Sequence, residues 1–283
     1  MAGRILKAGL IGEHIGRSRF AAAQALLCGE AGLTLDFTNF DTVEMTAFDF
    51  EDHVAGLPGQ GFDGVTVTHP FKTRAHRLAG KINYPGSLGA SNLLRFEPDG
   101  CQGFNTDYTG FKSVWAAQFG DAAPGRVAMA GAGGVSRALV AGLLDLGAER
   151  IDLWDLNPQL CRDVARVTDP SGKRVFAIEA VDEIPEAVRT ANGLLNATPM
   201  GMDHYPGTAF DAALVGGQDW AFDAVYAPID TVFLIDARAA GLTTITGFDL
   251  FRHMAVLSFE VYTGCLIDKP TAVEALRPLA RGL

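Results

Sequence analysis

The amino-acid sequence predicts an α/β protein built on parallel sheet, and three observations predict it. Short apolar runs alternate along the chain with stretches of helical composition. That alternation marks a parallel sheet covered by helices on both faces, because its strands are buried on both sides. Glycines cluster at 131–134 between an apolar run and a helical stretch, and the next apolar run ends on an acid, Asp155.

In the first half, residues 7–12 form a short apolar run closed by glycine, as in a buried strand. The Ala- and Leu-rich stretch 21–31 reads as a helix ending near Gly32. Residues 64–68 are β-branched and stop before Pro70, which reads as a strand. A helix over 72–79 follows, then a loop over 83–89 containing Gly, Pro and Ser. Segments 92–96 and 101–105 flank Pro98-Asp99-Gly100, a hairpin signal.

The second half opens after a helical stretch at 109–119 and a loop at 120–125. Residues 126–130 read as a strand, 131–134 as a turn, 135–146 as a helix and 150–155 as the next strand. Later strands are expected at 193–196, 220–225 and 243–246, and an amphipathic helix at 250–262 closes the pattern.

Bulk properties narrow the class of function. The chain has 283 residues, enough for two modest domains, with 48% hydrophobic and 20% charged residues. A net charge of −10 without any basic run argues against nucleic acid as a partner. Cys28, Cys101, Cys161 and Cys265 are scattered with no CxxC pair, so reduced structural thiols are expected rather than zinc or disulfides. His14 and His253 show no metal-ligand spacing, and no metal is assigned. No apolar run reaches the ~18–20 residues of a bilayer span, and residues 1–7 lack the features of a secretory signal. A cytoplasmic monomer or homodimer acting on a small molecule is expected.

The glycine cluster carries the first specific chemistry. Strand 126–130 runs into Gly131-Ala132-Gly133-Gly134-Val135-Ser136, a G-x-G-x-x-S variant of the dinucleotide fingerprint. Gly131 would make the tight turn, Gly133 would let backbone approach a pyrophosphate, and the following helix would offer unpaired N–H groups to the anion. Asp155 lies 24 residues after Gly131 (155 − 131), placed to accept hydrogen bonds from the adenosine ribose hydroxyls. Its charge would repel a 2′-phosphate, so NAD is expected rather than NADP. The bland rival is an ordinary turn through 155–158; Asn157 is taken as a cofactor-side candidate with Asp155. This half is read as a Rossmann-type parallel-sheet dinucleotide domain.

Two first-half segments look chemical: Thr66-Val67-Thr68-His69-Pro70-Phe71-Lys72, and 103–111 around Asn105-Thr106-Asp107. Oxidising a secondary alcohol releases the hydroxyl proton, so a general base must lie within reach. A partly desolvated lysine can serve, because burial disfavours its charged form, and a nearby aspartate can hold it. Alone, Lys72 would read as a solvated surface residue.

With these pieces the sequence resembles the shikimate/quinate dehydrogenase family across the whole chain. The matching segments are 9–12 with Ser18, 67–72, Asn92, 105–107, 131–134, 196–202, 223–228, Gly247 and 258–264. Asp155 looks closer to the family's NAD-using branch. The resemblance implies an N-terminal α/β substrate domain over 1–112, completed by 248–283, with the Rossmann domain over 113–247. It implies Lys72 and Asp107 as the acid–base pair, Ser18 on the substrate carboxylate, and Thr68, Asn92 and Tyr226 on carboxylate or ring hydroxyls. It implies Ala224, Val225 and Gly247 beside the nicotinamide, and Asn196, Ala197 and Thr198 along the cofactor groove. Bland rivals exist: Ser18 as a helix cap, Thr66 and Thr68 as strand formers, Asn92 and Asn105 as turn residues, Tyr226 as core.

Three positions depart from the family pattern and are expected to face the substrate: Phe20, Thr66 and Met254. Lost polar partners would cost on the order of 1–3 kcal/mol per buried group. The expected function is NAD-dependent interconversion of shikimate or quinate, or a close cyclic hydroxy-carboxylate, with its 3-dehydro ketone. An amino, deoxy or less polar ring acid, or a non-catalytic NAD-binding regulator, stays open as an alternative.

Overall fold

The computed structural model describes residues 3–282. The chain divides into two compact units: one runs through Thr109 and resumes over Arg252–Leu279, and the other is Gly110–Phe251, to which the last residues from Ala280 are also assigned.

The first unit holds strands β1 (Ile5–Gly12), β2 (Thr34–Asp41), β3 (Gly64–Val67), β4 (Lys81–Ile82), β5 (Leu93–Glu97) and β6 (Gly100–Phe104). Their order in the sheet is β2-β1-β3-β5-β6-β4. The sheet is mixed, not wholly parallel: β1 pairs parallel with β2 and β3, while β5 runs antiparallel to both β3 and β6. The cause is local, since a turn as short as Pro98-Asp99 can join only antiparallel strands. Helices α1 (Phe20–Glu30), α2 (Phe50–Gly56) and α3 (Lys72–Leu78) belong to this unit. Ile11, Val65 and Val67 of the sheet pack with Phe50, Val54 and Phe71 in one core cluster, where the Phe50 and Phe71 rings stack 5.0 Å apart.

Helix α4 (Thr106–Phe119) carries the chain into the second unit. There β7 (Arg126–Ala130), β8 (Arg150–Trp154), β9 (Val175–Ala177), β10 (Gly193–Asn196), β11 (Trp220–Asp223) and β12 (Thr243–Ile245) form a sheet ordered β12-β11-β10-β7-β8-β9. Every pairing in it is parallel. Strand order reverses between β7 and β10, the switch point of a doubly wound sheet. Alternation along β7 shows why the strand is apolar throughout. Val127 and Met129 enter one core cluster, with Phe111, Trp115 and Phe222, whereas Ala128 and Ala130 enter another, with Phe210 and Phe233.

Helices α5 (Ser136–Asp145), α6 (Pro158–Thr168), α7 (Ile184–Arg189) and α8 (Val232–Ala239) connect these strands. Helix α9 (Gly247–Thr263) returns the chain to the first unit, which α10 (Lys269–Ala275) completes. Several elements go beyond the sequence reading. Strand β2 is an edge strand of mostly half-buried residues, so it lacks an apolar run. Helix α6 starts where the sequence reads as a turn: Asn157 caps it and Pro158 is its first residue, both ordinary helix-start choices.

Phe222 is fully buried and meets Phe111 edge-on at 5.4 Å. Phe222→Ala is expected to destabilise the fold by about 3–5 kcal/mol, read from denaturant unfolding followed by tryptophan fluorescence.

Candidate active site

Topology gathers the first unit's polar candidates at one edge of its sheet. Ser18 follows β1, and Thr68 and Lys72 follow β3, which is parallel to β1. Asn92 precedes β5 and Asp107 follows β6, and because β5 runs antiparallel to β3 and β6 to β5, both fall at that same edge. Gly12, at the end of β1, packs against Thr68: a Cβ there would collide with the threonine methyl group.

Lys72 and Asp107 meet at this edge. Lys72 Nζ donates to Asp107 Oδ2 at 2.6 Å, with the side chains 21% and 10% exposed. Asp107 lies in the first turn of α4, where the helix dipole favours a carboxylate. Lys72 opens α3, where the dipole disfavours a cation, so the aspartate offsets an unfavourable local field. A network holds the aspartate's turn in place. Asn105 Oδ1 accepts from Tyr108 N at 3.0 Å, and Asn92 Oδ1 accepts from Thr106 N at 2.7 Å. Thr106 Oγ1 and Ser258 Oγ lie 3.1 Å apart, which ties α4 to α9. Ser91 N donates to Lys72 O at 2.9 Å, anchoring the start of α3.

Two residues expected to face the substrate are buried. Phe20 is 2% exposed and its ring lies 6.0 Å from Phe37, so it belongs to the hydrophobic core. Thr66 is 5% exposed, and its hydroxyl lies 2.6 Å from the Tyr262 hydroxyl in a buried pair. Burial pushes the Tyr262 phenol well above its usual range, so it stays neutral. Ser18 Oγ accepts from Phe20 N at 3.2 Å, a local role at the start of α1. Met254 is half-buried and its carbonyl accepts from Ser258 Oγ at 2.8 Å. Tyr226 lies in the second unit, its ring 5.1 Å from that of Phe251 and 6.2 Å from that of Phe248.

The second unit gathers its candidates at the C-terminal edge of its parallel sheet. Gly131 has φ +98°, a conformation that favours glycine, and an added Cβ would lie 2.7 Å from the Ala197 carbonyl carbon. Gly133 and Gly134 are exposed, and a Cβ on either would meet open space. Val135 precedes α5, whose first residue, Ser136, is fully buried and donates its hydroxyl to Gly131 O at 2.9 Å. The serine in place of the third glycine therefore locks the turn as well as fitting it. Asp155 Oδ2 accepts from Ala132 N at 2.8 Å and Oδ1 from Asn157 N at 2.9 Å, leaving each oxygen a further lone pair. Asn157 Oδ1 accepts from Gln159 N at 3.1 Å as the cap of α6. This glycine turn, helix start and strand-end acid fit a dinucleotide: open backbone for a pyrophosphate and a carboxylate for ribose hydroxyls.

The sequence reading named segments 105–107, 223–228 and 258–264 but gave no bracing role to Thr106, Asp223, Ser258 or Tyr262 within them. Thr106 and Ser258 look like ordinary helix residues, and Tyr262 finds Thr66 across 196 positions of sequence. Asp223 is fully buried at the end of β11, where burial pushes its carboxyl up to about 6 against hydrogen bonds from Thr231, Val225 and Asn196 that pull the other way. No group of three or more His, Cys, Asp or Glu among the described residues is placed to hold a metal ion. No helix among them is long and apolar enough to cross a membrane.

The Thr66–Tyr262 pair has a direct test. Thr66→Val strands a buried phenol hydroxyl and is expected to cost about 1–3 kcal/mol in urea unfolding. Adding Tyr262→Phe to that variant should recover most of the loss, because both polar groups are then gone.

No protein-family model matches the chain. Over 265 residues it is 36% identical to the quinate/shikimate dehydrogenase (NAD(+)) of Corynebacterium efficiens, covering 90% of this chain and 92% of that one. It is 33% identical over 281 residues to the shikimate dehydrogenase (NADP(+)) of Streptomyces avermitilis, covering 96% and 94%. Among solved structures, quinate dehydrogenase from Corynebacterium glutamicum in complex with NAD matches with a TM-score of 0.89 at 30% identity, over 97% of this chain and 99% of that one. With sequence identity and fold shared over nearly their whole lengths, the chain belongs to the shikimate/quinate dehydrogenase family of oxidoreductases.

Proposed function

We propose that the protein catalyses NAD-dependent interconversion of shikimate or quinate, or a close cyclic hydroxy-carboxylate, with its 3-dehydro ketone. The observation that carries this reading is the partly buried Lys72–Asp107 pair, with Nζ and Oδ2 2.6 Å apart. When bound, the dinucleotide supplies the hydride acceptor for alcohol oxidation, or the donor for ketone reduction. Lys72, as the neutral amine, would take the hydroxyl proton as the alcohol is oxidised, becoming the ammonium paired with Asp107, and would return that proton in the reverse direction. Asp107 holds the amine in line through a charge-assisted hydrogen bond. Ser18, Thr68 and Asn92 bind the ring acid's carboxylate and hydroxyls, with Tyr226 supplying a further contact. In this scheme the first unit binds the ring acid and the second the dinucleotide.

The preference for NAD rests on Asp155. The relatives divide on this point, since one is named for NAD(+) and another for NADP(+). Asp155 takes one backbone N–H on each oxygen and keeps lone pairs for ribose hydroxyls, whereas a 2′-phosphate would meet its negative charge. Gly131–Gly134 and the start of α5 receive the pyrophosphate. Asn196, Ala197 and Thr198 line the groove, and Ala224, Val225 and Gly247 stand beside the nicotinamide. Two departures from the family pattern bear little on the ring, because Phe20 is core and the Thr66 hydroxyl is bonded to Tyr262. This favours shikimate or quinate over a less polar ring acid.

Purified protein should reduce NAD with quinate or shikimate, followed by the absorbance of the reduced nicotinamide. Lys72→Ala and Asp107→Ala should each lower kcat by about 10²–10⁴-fold. Wild-type turnover in both variants would remove the acid–base assignment. Asp155→Ser should move the ratio of kcat/KM values toward NADP by at least about tenfold; an unchanged ratio would show that preference is set elsewhere.

A further inference from the structure

Asp223 transfers no proton in this scheme, yet it joins most of the second unit's ligand edge. Its Oδ1 accepts from Val225 N at 2.9 Å and from Asn196 Nδ2 at 2.9 Å, and its Oδ2 accepts from Thr231 Oγ1 at 2.6 Å. Asn196 is its direct neighbour across the β10–β11 pairing and is also fully buried. The asparagine amide nitrogen also donates to Met200 O at 3.0 Å, and its oxygen accepts from Thr198 N at 3.0 Å and Thr198 Oγ1 at 2.7 Å. Every donor and lone pair of that side chain is therefore used, which leaves it no freedom to turn.

The glycines on either side rest on what this pair holds. Gly131 presses on the Ala197–Thr198 peptide, with an added Cβ 2.8 Å from Thr198 N. Gly247 presses on the Ala224–Val225 backbone, with an added Cβ 2.6 Å from the Val225 carbonyl carbon. A contiguous stack results: glycine turn, residues 197–198, the Asn196–Asp223 pair, residues 224–225, and the start of α9. Asp223 fixes its middle. We infer that Asp223 is a positioning residue for the nicotinamide end of the cofactor, setting the backbone at 197–198 through Asn196 and at 224–225 through Val225. The inference rests on the reading that those two segments face the dinucleotide.

A carboxylate suits this place because it presents only acceptors to three donors. An amide at the same position keeps the Asn196 and Val225 bonds on its oxygen and turns an N–H toward Thr231. Alanine keeps none of them, and a displacement of about 1 Å at a reacting centre can cost on the order of 10²-fold in rate.

The test is steady-state kinetics on the full chain with NAD and quinate or shikimate, beside far-UV circular dichroism and calorimetric NAD binding. Asp223→Ala should lower kcat at least about tenfold and raise KM for NAD about fivefold, while KM for the ring acid stays within about twofold. Asp223→Asn should stay within about threefold of wild type in both kcat and KM for NAD. Thr231→Val removes the outer bond to Asp223 and the hydroxyl cap on Leu234 N while keeping the Asn196 and Val225 bonds, so it should lower the melting temperature and leave the kinetic constants unchanged. If Asp223→Ala does not fold, Asp223→Ser carries the same expectation, since its shorter side chain cannot serve Asn196 and Val225 together. A folded Ala or Ser variant with wild-type kcat and KM for NAD overturns the inference and leaves the dehydrogenase reading standing. Wild-type protein inactive on both ring acids overturns that reading; calorimetry then still decides the positioning role, by whether the Ala or Ser variant loses NAD affinity.

Discussion

The first unit's site depends on bringing an ammonium and a carboxylate within 2.6 Å of each other at the starts of two different helices. The two positions are electrostatically unequal. A carboxylate in the first turn of α4 lies in a favourable field, whereas a cation opening α3 lies in an unfavourable one. The pair is therefore held mainly from the aspartate side, and the bracing reflects this. Asn92 and Asn105 tie down the first turn of α4, and Ser258 links Thr106 to α9. Lys72 is anchored at its carbonyl by Ser91 N and has a long flexible stem that lets Nζ follow the carboxylate.

The β5–β6 hairpin makes this meeting geometrically inevitable. Had the chain crossed from β3 to another parallel strand, Asn92 would have opened that strand at the far edge of the sheet from Lys72. An antiparallel β5 starts where β3 ends, and β6 returns to the same edge before α4 begins. The second unit reaches a comparable end by other means. All its strands are parallel, so every strand-to-helix loop opens at one edge, and the switch point between β7 and β10 leaves a crevice there.

Much of this was legible in the sequence, and what was not follows from what periodicity records. Strands buried on both faces, such as β7 and β10, read directly as apolar runs. Edge strand β2 does not, because its residues alternate between half-buried and exposed. The glycine turn and Asp155 were legible because a tight turn and a strand-end acid leave fixed residue types behind. The surroundings of Phe20 and Thr66 were not legible for a different reason. Correspondence with a family position says where a residue lies in the chain but not which way its side chain turns. Phe20 turns into the core beside Phe37, and Thr66 turns to a phenol 196 residues away. The bracing residues lie in segments the sequence singles out, but their bracing role leaves no local signal, since Asp223 takes its meaning from Asn196 on the neighbouring strand.

Hydrogen-bond saturation sharpens the view of what the first unit's edge can hold. Ser18 accepts a backbone N–H from Phe20, and Asn92 accepts one from Thr106 while giving one amide hydrogen to Thr106 Oγ1. These bonds use neither the Ser18 hydroxyl proton nor the second amide hydrogen of Asn92. These two side chains spend acceptor capacity on the protein itself and keep donors, whereas the Asp107 carboxylate keeps acceptors. Unengaged donors favour an anion, and a carboxylate offers about four lone-pair positions in a single group. In the proposed scheme the donors would suit the carboxylate of a ring acid, and the Lys72–Asp107 pair the hydroxyl that gives up its proton.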